Sequence, residues 1–146
     1  MPRRFTLQEA ERVLPELDPE IRQAIKIKHE FDEAEAVLRS ISQHITSSGG
    51  ARVDRERLVR VRSRRDALAA RLKEVLEGIE AHGCVVKDLD MGLLDFPTLY
   101  RGQEVCLCWK VGEKRIEFWH GAEEGFRGRK PIDQDFLDNH KGDPPN

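Results

Sequence analysis

The sequence predicts an α+β fold: a long antiparallel α-helical hairpin, preceded by a short helix and followed by a small antiparallel β-sheet. Three observations carry this expectation. Apolar residues recur at alternating spacings of three and four from Ala24 to Ile45, and again from Leu58 to Ile79, the seam pattern of helices packed along one another. The flexible stretch Ser47-Ser48-Gly49-Gly50 separates the two runs. After Gly83 the chain turns to β-branched residues punctuated by glycines at 83, 92, 102, 112, 121, 125 and 128, as strands and tight turns require. The 146 residues, 38% of them hydrophobic, suit one core. The expected organisation is a single domain over 1–140, with a helical part at 5–82, a sheet part at 83–132 and a mobile tail at 141–146.

The first element starts at Thr6-Leu7-Gln8-Glu9, a capping box in which hydroxyl and carboxylate satisfy exposed amide donors. Pro15 should end or kink this helix, because it removes a donor, and Asp18-Pro19-Glu20 reads as the start of a second helix. The chain is therefore expected to bend near Leu17. The second helix carries Ala24, Ile27, Phe31, Ala34, Leu38, Ile41 and Ile45 on its seam. The third is expected from Asp54, its N-cap, to His82, with Leu58, Val61, Leu68, Leu72, Val75 and Ile79 on the seam, Arg65 at one seam position, and Gly83 as the left-handed terminator. Each long helix would span roughly 40 Å at about 1.5 Å per residue.

Within the sheet the clearest piece is a hairpin around Gly112-Glu113. Loops of two or four residues both shift pairing by an even number, so both place Val105, Leu107, Trp109, Val111, Ile116, Phe118 and His120 on one face. The other face then holds Cys106, Cys108, Lys110, Glu117 and Trp119. The four-residue loop, which sets Lys110 against Glu117, is preferred. A short helical turn is expected at 133–138, followed by a polar, breaker-rich end.

Composition excludes several classes. Formal charge is -2 and the pI about 6.2, so the chain as a whole offers no electrostatic case for DNA, RNA or an anionic membrane. No apolar stretch approaches the roughly 20 residues needed to cross a bilayer. Three cysteines and a start without a secretory apolar run point to a reducing, cytoplasmic setting.

The segment 87–97 concentrates Asp88, Asp90 and Asp95, oxygen donors that could gather a hard cation. Leu99 stands where an EF-hand needs its closing glutamate, and carboxylates in tight turns usually bond their own backbone. Cys106 and Cys108 share a strand face and could present thiolates to zinc, yet the expected parity turns His120 away from them. No metal and no cofactor is therefore assigned, and no catalytic residue. The candidate functional cluster comprises Asp88, Asp90, Asp95, Trp109, Glu117, Trp119 and His120, with His120 the natural acid–base group. Residues 51–73 carry nine arginines and lysines against three acids, and Arg57, Arg60, Arg62 and Arg64 form a candidate basic surface. No aromatics interleave with these arginines, so stacking on single-stranded nucleic acid has no platform and a solvated helix flank is the favoured reading. Ile21, Ile25, Val37, Val59 and Leu76 lie off the seam, and unless the first helix or the sheet covers them they predict self-association, with a homodimer preferred.

Phe5-Thr6-Leu7-Gln8-Glu9-Ala10, Leu14-Pro15-Glu16-Leu17, Val86-Lys87-Asp88-Leu89-Asp90 with Gly92 and Asp95-Phe96-Pro97, then Leu107-Cys108-Trp109, Gly112-Glu113, Phe118-Trp119-His120 and Gly125-Phe126 together resemble a family of small bacterial proteins, domain of unknown function 2203. The resemblance spans about residue 5 to residue 132. It implies no activity, cofactor or catalytic residue to carry over. The functional expectation is a binding and assembly module: the hairpin self-associates and the sheet end presents a ligand or partner surface. The alternatives are a metal-dependent or acid–base enzyme using the Asp/Glu/His cluster, and nucleic-acid binding through the arginine-rich helix.

Overall fold

The computed structural model describes residues 3–48 and 52–144. Helix α1 is Leu7–Ser48 and helix α2 is Arg52–Glu80. The capping box forms as expected: Glu9 N donates to Thr6 Oγ1 at 3.1 Å and Thr6 N donates to Glu9 Oε1 at 2.9 Å. The separate short helix does not form, because Pro15 and Pro19 both lie inside α1. Each interior proline costs about 3 kcal/mol. Leu14, Leu17 and Ile21 are all buried, and each such side chain returns about 1.5–3 kcal/mol, so packing of this face offsets a cost of that order. Asp54 falls inside α2 rather than capping it. Ser48 is still helical, while the glycines of the expected turn lie outside the described residues. At the far end Gly83 takes φ +101° as the terminator, and its N–H reaches Glu80 O at 2.9 Å.

Two compact units make up the chain, one from residues up to Arg22 and from Leu76 onward, the other Gln23–Val75. The second is the antiparallel helical hairpin. Ile27, Ala34 and Leu68 form its buried centre, flanked by half-buried Phe31, Val61, Leu72 and Val75, which are seam residues of the sequence pattern. Arg65, at its polar seam position, donates to Glu35 Oε2 of α1 at 3.3 Å.

The first unit holds the sheet. Its strands are β1 (Val85–Asp88), β2 (Leu93–Tyr100), β3 (Gln103–Lys110), β4 (Phe118–Gly121), β5 (Lys130–Pro131) and β6 (His140–Lys141). Their order is β1-β2-β3-β4-β5, with β6 pairing the far end of β2. Strand β2 falls in the segment read from sequence as carboxylate-bearing turns. Its residues Leu93 to Thr98 are all buried, so it shows no alternation to detect. Pro97 fits within it because its carbonyl faces away from β3 and accepts from Phe5 N at 2.6 Å. The missing proline N–H therefore removes no ladder bond. The N-terminal segment thus fills the edge of β2 left open between β1 and β6.

Helix α3 (Gln134–Asn139) matches the expected turn and is capped by Asp133. Its Phe136 is fully buried against Tyr100 and Trp119, at ring distances of 4.8 and 5.2 Å. In the tail expected to be mobile over 141–146, Lys141 and Asp143 are tied down, and 145–146 lie outside the described residues. Asp143 N donates to Arg4 O and Arg4 N to Asp143 Oδ2, both at 3.0 Å, and Thr98 Oγ1 donates to Lys141 O.

The hairpin register differs from both expected loops. Cys106 pairs His120, Leu107 pairs Trp119 and Cys108 pairs Phe118. The nine residues 109–117 that connect the paired strands form an irregular loop, an odd number that moves every side chain of β4 to the opposite face. Lys110 N bonds Glu113 Oε1 at 2.7 Å and Trp109 Nε1 bonds Glu113 O at 2.9 Å. Arg129 grips both oxygens of the Glu113 carboxylate. These bonds hold the loop in a shape that no two- or four-residue turn provides. His120 and Phe118 consequently stand with Cys106 and Cys108, and Trp119 stands with Leu107.

Candidate functional site

The corrected register assembles a buried polar cluster from three adjacent strands. Asp95 lies opposite Cys108 across β2 and β3, and Cys106 lies opposite His120 across β3 and β4, so all four side chains share one face. One ligand-type atom from each of Asp95, Cys106 and His120 lies within 4.8 Å of the other two, the only such group among the described residues. The His120 ring is held at both nitrogens: Nε2 stands 2.9 Å from Asp95 Oδ1 and Nδ1 stands 2.7 Å from Gly121 O. The side chains of His120 and Asp95 are 1% and 6% exposed, whereas Cys106 is half-buried.

Electrostatics follow from this geometry. The hydrogen bond to Asp95 raises His120 to about 10, assisted by Cys108 and the Gly121 carbonyl and opposed by burial. Burial, with Asp95 and Glu104 nearby, pushes the Cys106 thiol up to about 12. The Asp95 contact thus favours the protonated ring, and burial favours the protonated thiol. A cysteine nucleophile needs the opposite arrangement, a lowered thiol beside a histidine free to take its proton. Both ring nitrogens are occupied, so the cluster is not a poised thiolate–imidazolium dyad.

The remaining candidates disperse. Asp88 accepts from Met91 N at 3.0 Å, the local turn bond that its position suggested. Asp90 is exposed, as is Glu117. Trp109 is buried and engaged by the Glu113 carbonyl, while Trp119 packs on Tyr100 and carries Lys130 Nζ 4.8 Å over its ring. Of the proposed acid–base set, only Asp95 and His120 meet. Cys106, excluded on parity, joins them. Arg57, Arg60, Arg62 and Arg64 are exposed on α2, but Arg57 and Arg64 line a depression together with Glu30 and Glu33 of α1.

The same sheet face carries a second feature that sequence reasoning missed. A concavity of about 540 Å³ is lined by Lys87, Asp88, Met91, Leu93, Gly125, Phe126 and Arg127. Lys87 follows the Val85 side of β1, which pairs Asp95, and its charge bears on the Cys106 thiol. The 125–129 segment lies across this face: Lys110 Nζ and the Arg129 guanidinium sit 5.4 and 4.9 Å from the Phe126 ring, and Arg129 also stacks on Phe118 at 4.1 Å. Only the tertiary arrangement brings 87–93 beside 125–127. The sequence offered Asp88 as a cluster candidate, and Lys87-Asp88 and Gly125-Phe126 as parts of the resemblance, with nothing to join the two segments.

No helix among the described residues is long and apolar enough to cross a membrane. No curated protein and no solved structure matches the chain. The family model described as Uncharacterized conserved protein (DUF2203) matches residues 3–132, and the chain belongs to that family.

Proposed function

We propose that this protein is a small cytoplasmic binding and assembly module, which takes a small anionic ligand with an apolar body on its sheet part and self-associates through its helical hairpin. The observation that carries the reading is the concavity on the Cys106 face. Its wall combines the apolar Met91, Leu93 and Phe126 with the cationic Lys87 and Arg127, the mixture that orients a ligand by charge while burying its body. The one carboxylate there, Asp88, is turned to the Met91 N–H, so the balance of the wall favours an anion.

Binding is preferred over acid–base catalysis because, of the carboxylates in the candidate cluster, Asp95 alone meets His120, while Asp88 turns to its own loop and Asp90 and Glu117 are exposed. Nucleic-acid binding is disfavoured because Glu30 and Glu33 share a depression with Arg57 and Arg64, which breaks the uniform positive field that phosphate backbones need. Three free thiols fit a reducing compartment.

Phenyl phosphate and benzoate are suitable probes. Titrated into the full chain and followed by NMR, they should shift the Met91 methyl and the Leu93, Phe126 and Arg127 signals, and Arg127→Glu should weaken binding by about tenfold or more, as expected for loss of a charge-assisted contact. Absence of shifts at these residues at millimolar probe would overturn the reading.

A further inference from the structure

Separately from the concavity, we infer that Asp95, Cys106 and His120 form a binding site for one Zn²⁺ ion or a divalent ion of like chemistry, with a fourth coordination position open. Three adjacent strands contribute one donor each to one sheet face, supplying a carboxylate, a thiol and an imidazole. This mixed N, O, S set is the one borderline-soft ions select. Donor atoms bound to one zinc at about 2.0–2.3 Å stand about 3.3–3.6 Å apart in a tetrahedron. The cluster is close to that spacing: Asp95 Oδ1 and His120 Nε2 stand 2.9 Å apart, and all three donors lie within 4.8 Å of one another.

An independent observation points the same way. His120 Nδ1 is fixed on the Gly121 carbonyl at 2.7 Å, the outer contact that sets the tautomer of a metal-binding histidine and presents Nε2 as the ligand. Charge closes as well. A thiolate, a carboxylate and a neutral imidazole around M²⁺ make a site of zero net charge, the displaced protons passing to solvent, so no uncompensated charge is left beneath the sheet face. Half-buried Cys106 is the side from which an ion enters, and three protein ligands leave room for a water or an exogenous anion.

Cobalt(II) titrated into the reduced, untagged, metal-free full chain tests the assignment. The expected result is one equivalent bound, with a thiolate-to-cobalt charge-transfer band and the strong visible bands of four-coordinate Co²⁺, all bleached by added Zn²⁺. Cys106→Ser, a near-isosteric change at a half-buried position, should abolish the charge-transfer band and weaken Co²⁺ binding by more than about tenfold, at least the effect of losing an outer-shell partner. Cys84→Ser should leave both unchanged. Circular dichroism verifies that each variant is folded, and Cys106→Ala replaces the serine variant if it is not. A wild-type spectrum without thiolate charge transfer, or a band that survives in the Cys106 variant, overturns the site.

Discussion

His120 is almost wholly buried and held at both ring nitrogens. Its raised value means that the metal-free protein gains stability from the charged ring below about 6.5, and loses it progressively as pH climbs towards about 10. The group binds its proton more tightly when folded, so deprotonation favours unfolding. Urea midpoints should therefore fall between pH 7 and 10, and the imidazole signals of His120 should show no titration near 6.5 in an NMR pH series. A ring that titrates at its ordinary value would mean that the Asp95 contact does not hold in solution. His140, by contrast, acts as a structural acceptor: its Nε2 takes the Leu7 N–H at 3.0 Å, satisfying a first-turn donor of α1 that no intrahelical carbonyl reaches.

At the scale of elements, the start of α1 shows how local chemistry and packing cooperate. Thr6 and Glu9 close the capping box, and Phe5 just before it is fully buried, edge-on to Phe96 at 5.3 Å. Thr6→Ala should lower the unfolding free energy by about 1 kcal/mol, read as a reduced urea midpoint with an unchanged slope. No change in midpoint would show that His140 alone suffices at this terminus. Strand β6 closes against the same region, where Gly142 is packed so tightly that an added Cβ would lie 2.9 Å from Arg4 O. The polar composition of the tail hid this contact, because its partners lie more than a hundred positions earlier in the chain.

For the whole molecule, assembly is the property to measure. Within the hairpin unit the flanking seam residues Phe31, Val61, Leu72 and Val75 are only half-buried, and Val59 is 60% exposed. Two helices cover each other incompletely, and the remaining apolar surface is the ground on which self-association is proposed. Sedimentation over a range of concentrations should show a wild-type oligomer, and Val59→Glu should shift it towards monomer by placing a charge in that surface. A monomer at all concentrations would confine the module to ligand binding.

The amino-acid order by itself determined what depends on near neighbours: the capping box at Thr6, the seam from Ala24 to Ile79, the terminator at Gly83, and the change from helix to strand beyond it. These are readable because helix periodicity and cap chemistry act over a few positions. Tertiary structure alone decided the continuity of α1 through two prolines, the burial of β2 on both faces, the docking of the tail, and the register of β4 on β3. That register rests on the Glu113–Arg129 grip and an odd-length loop, contacts between distant residues that no local pattern encodes. Because a strand alternates sides at every residue, a slip of one position is enough to turn His120 from the face opposite Cys106 to the face it shares with it.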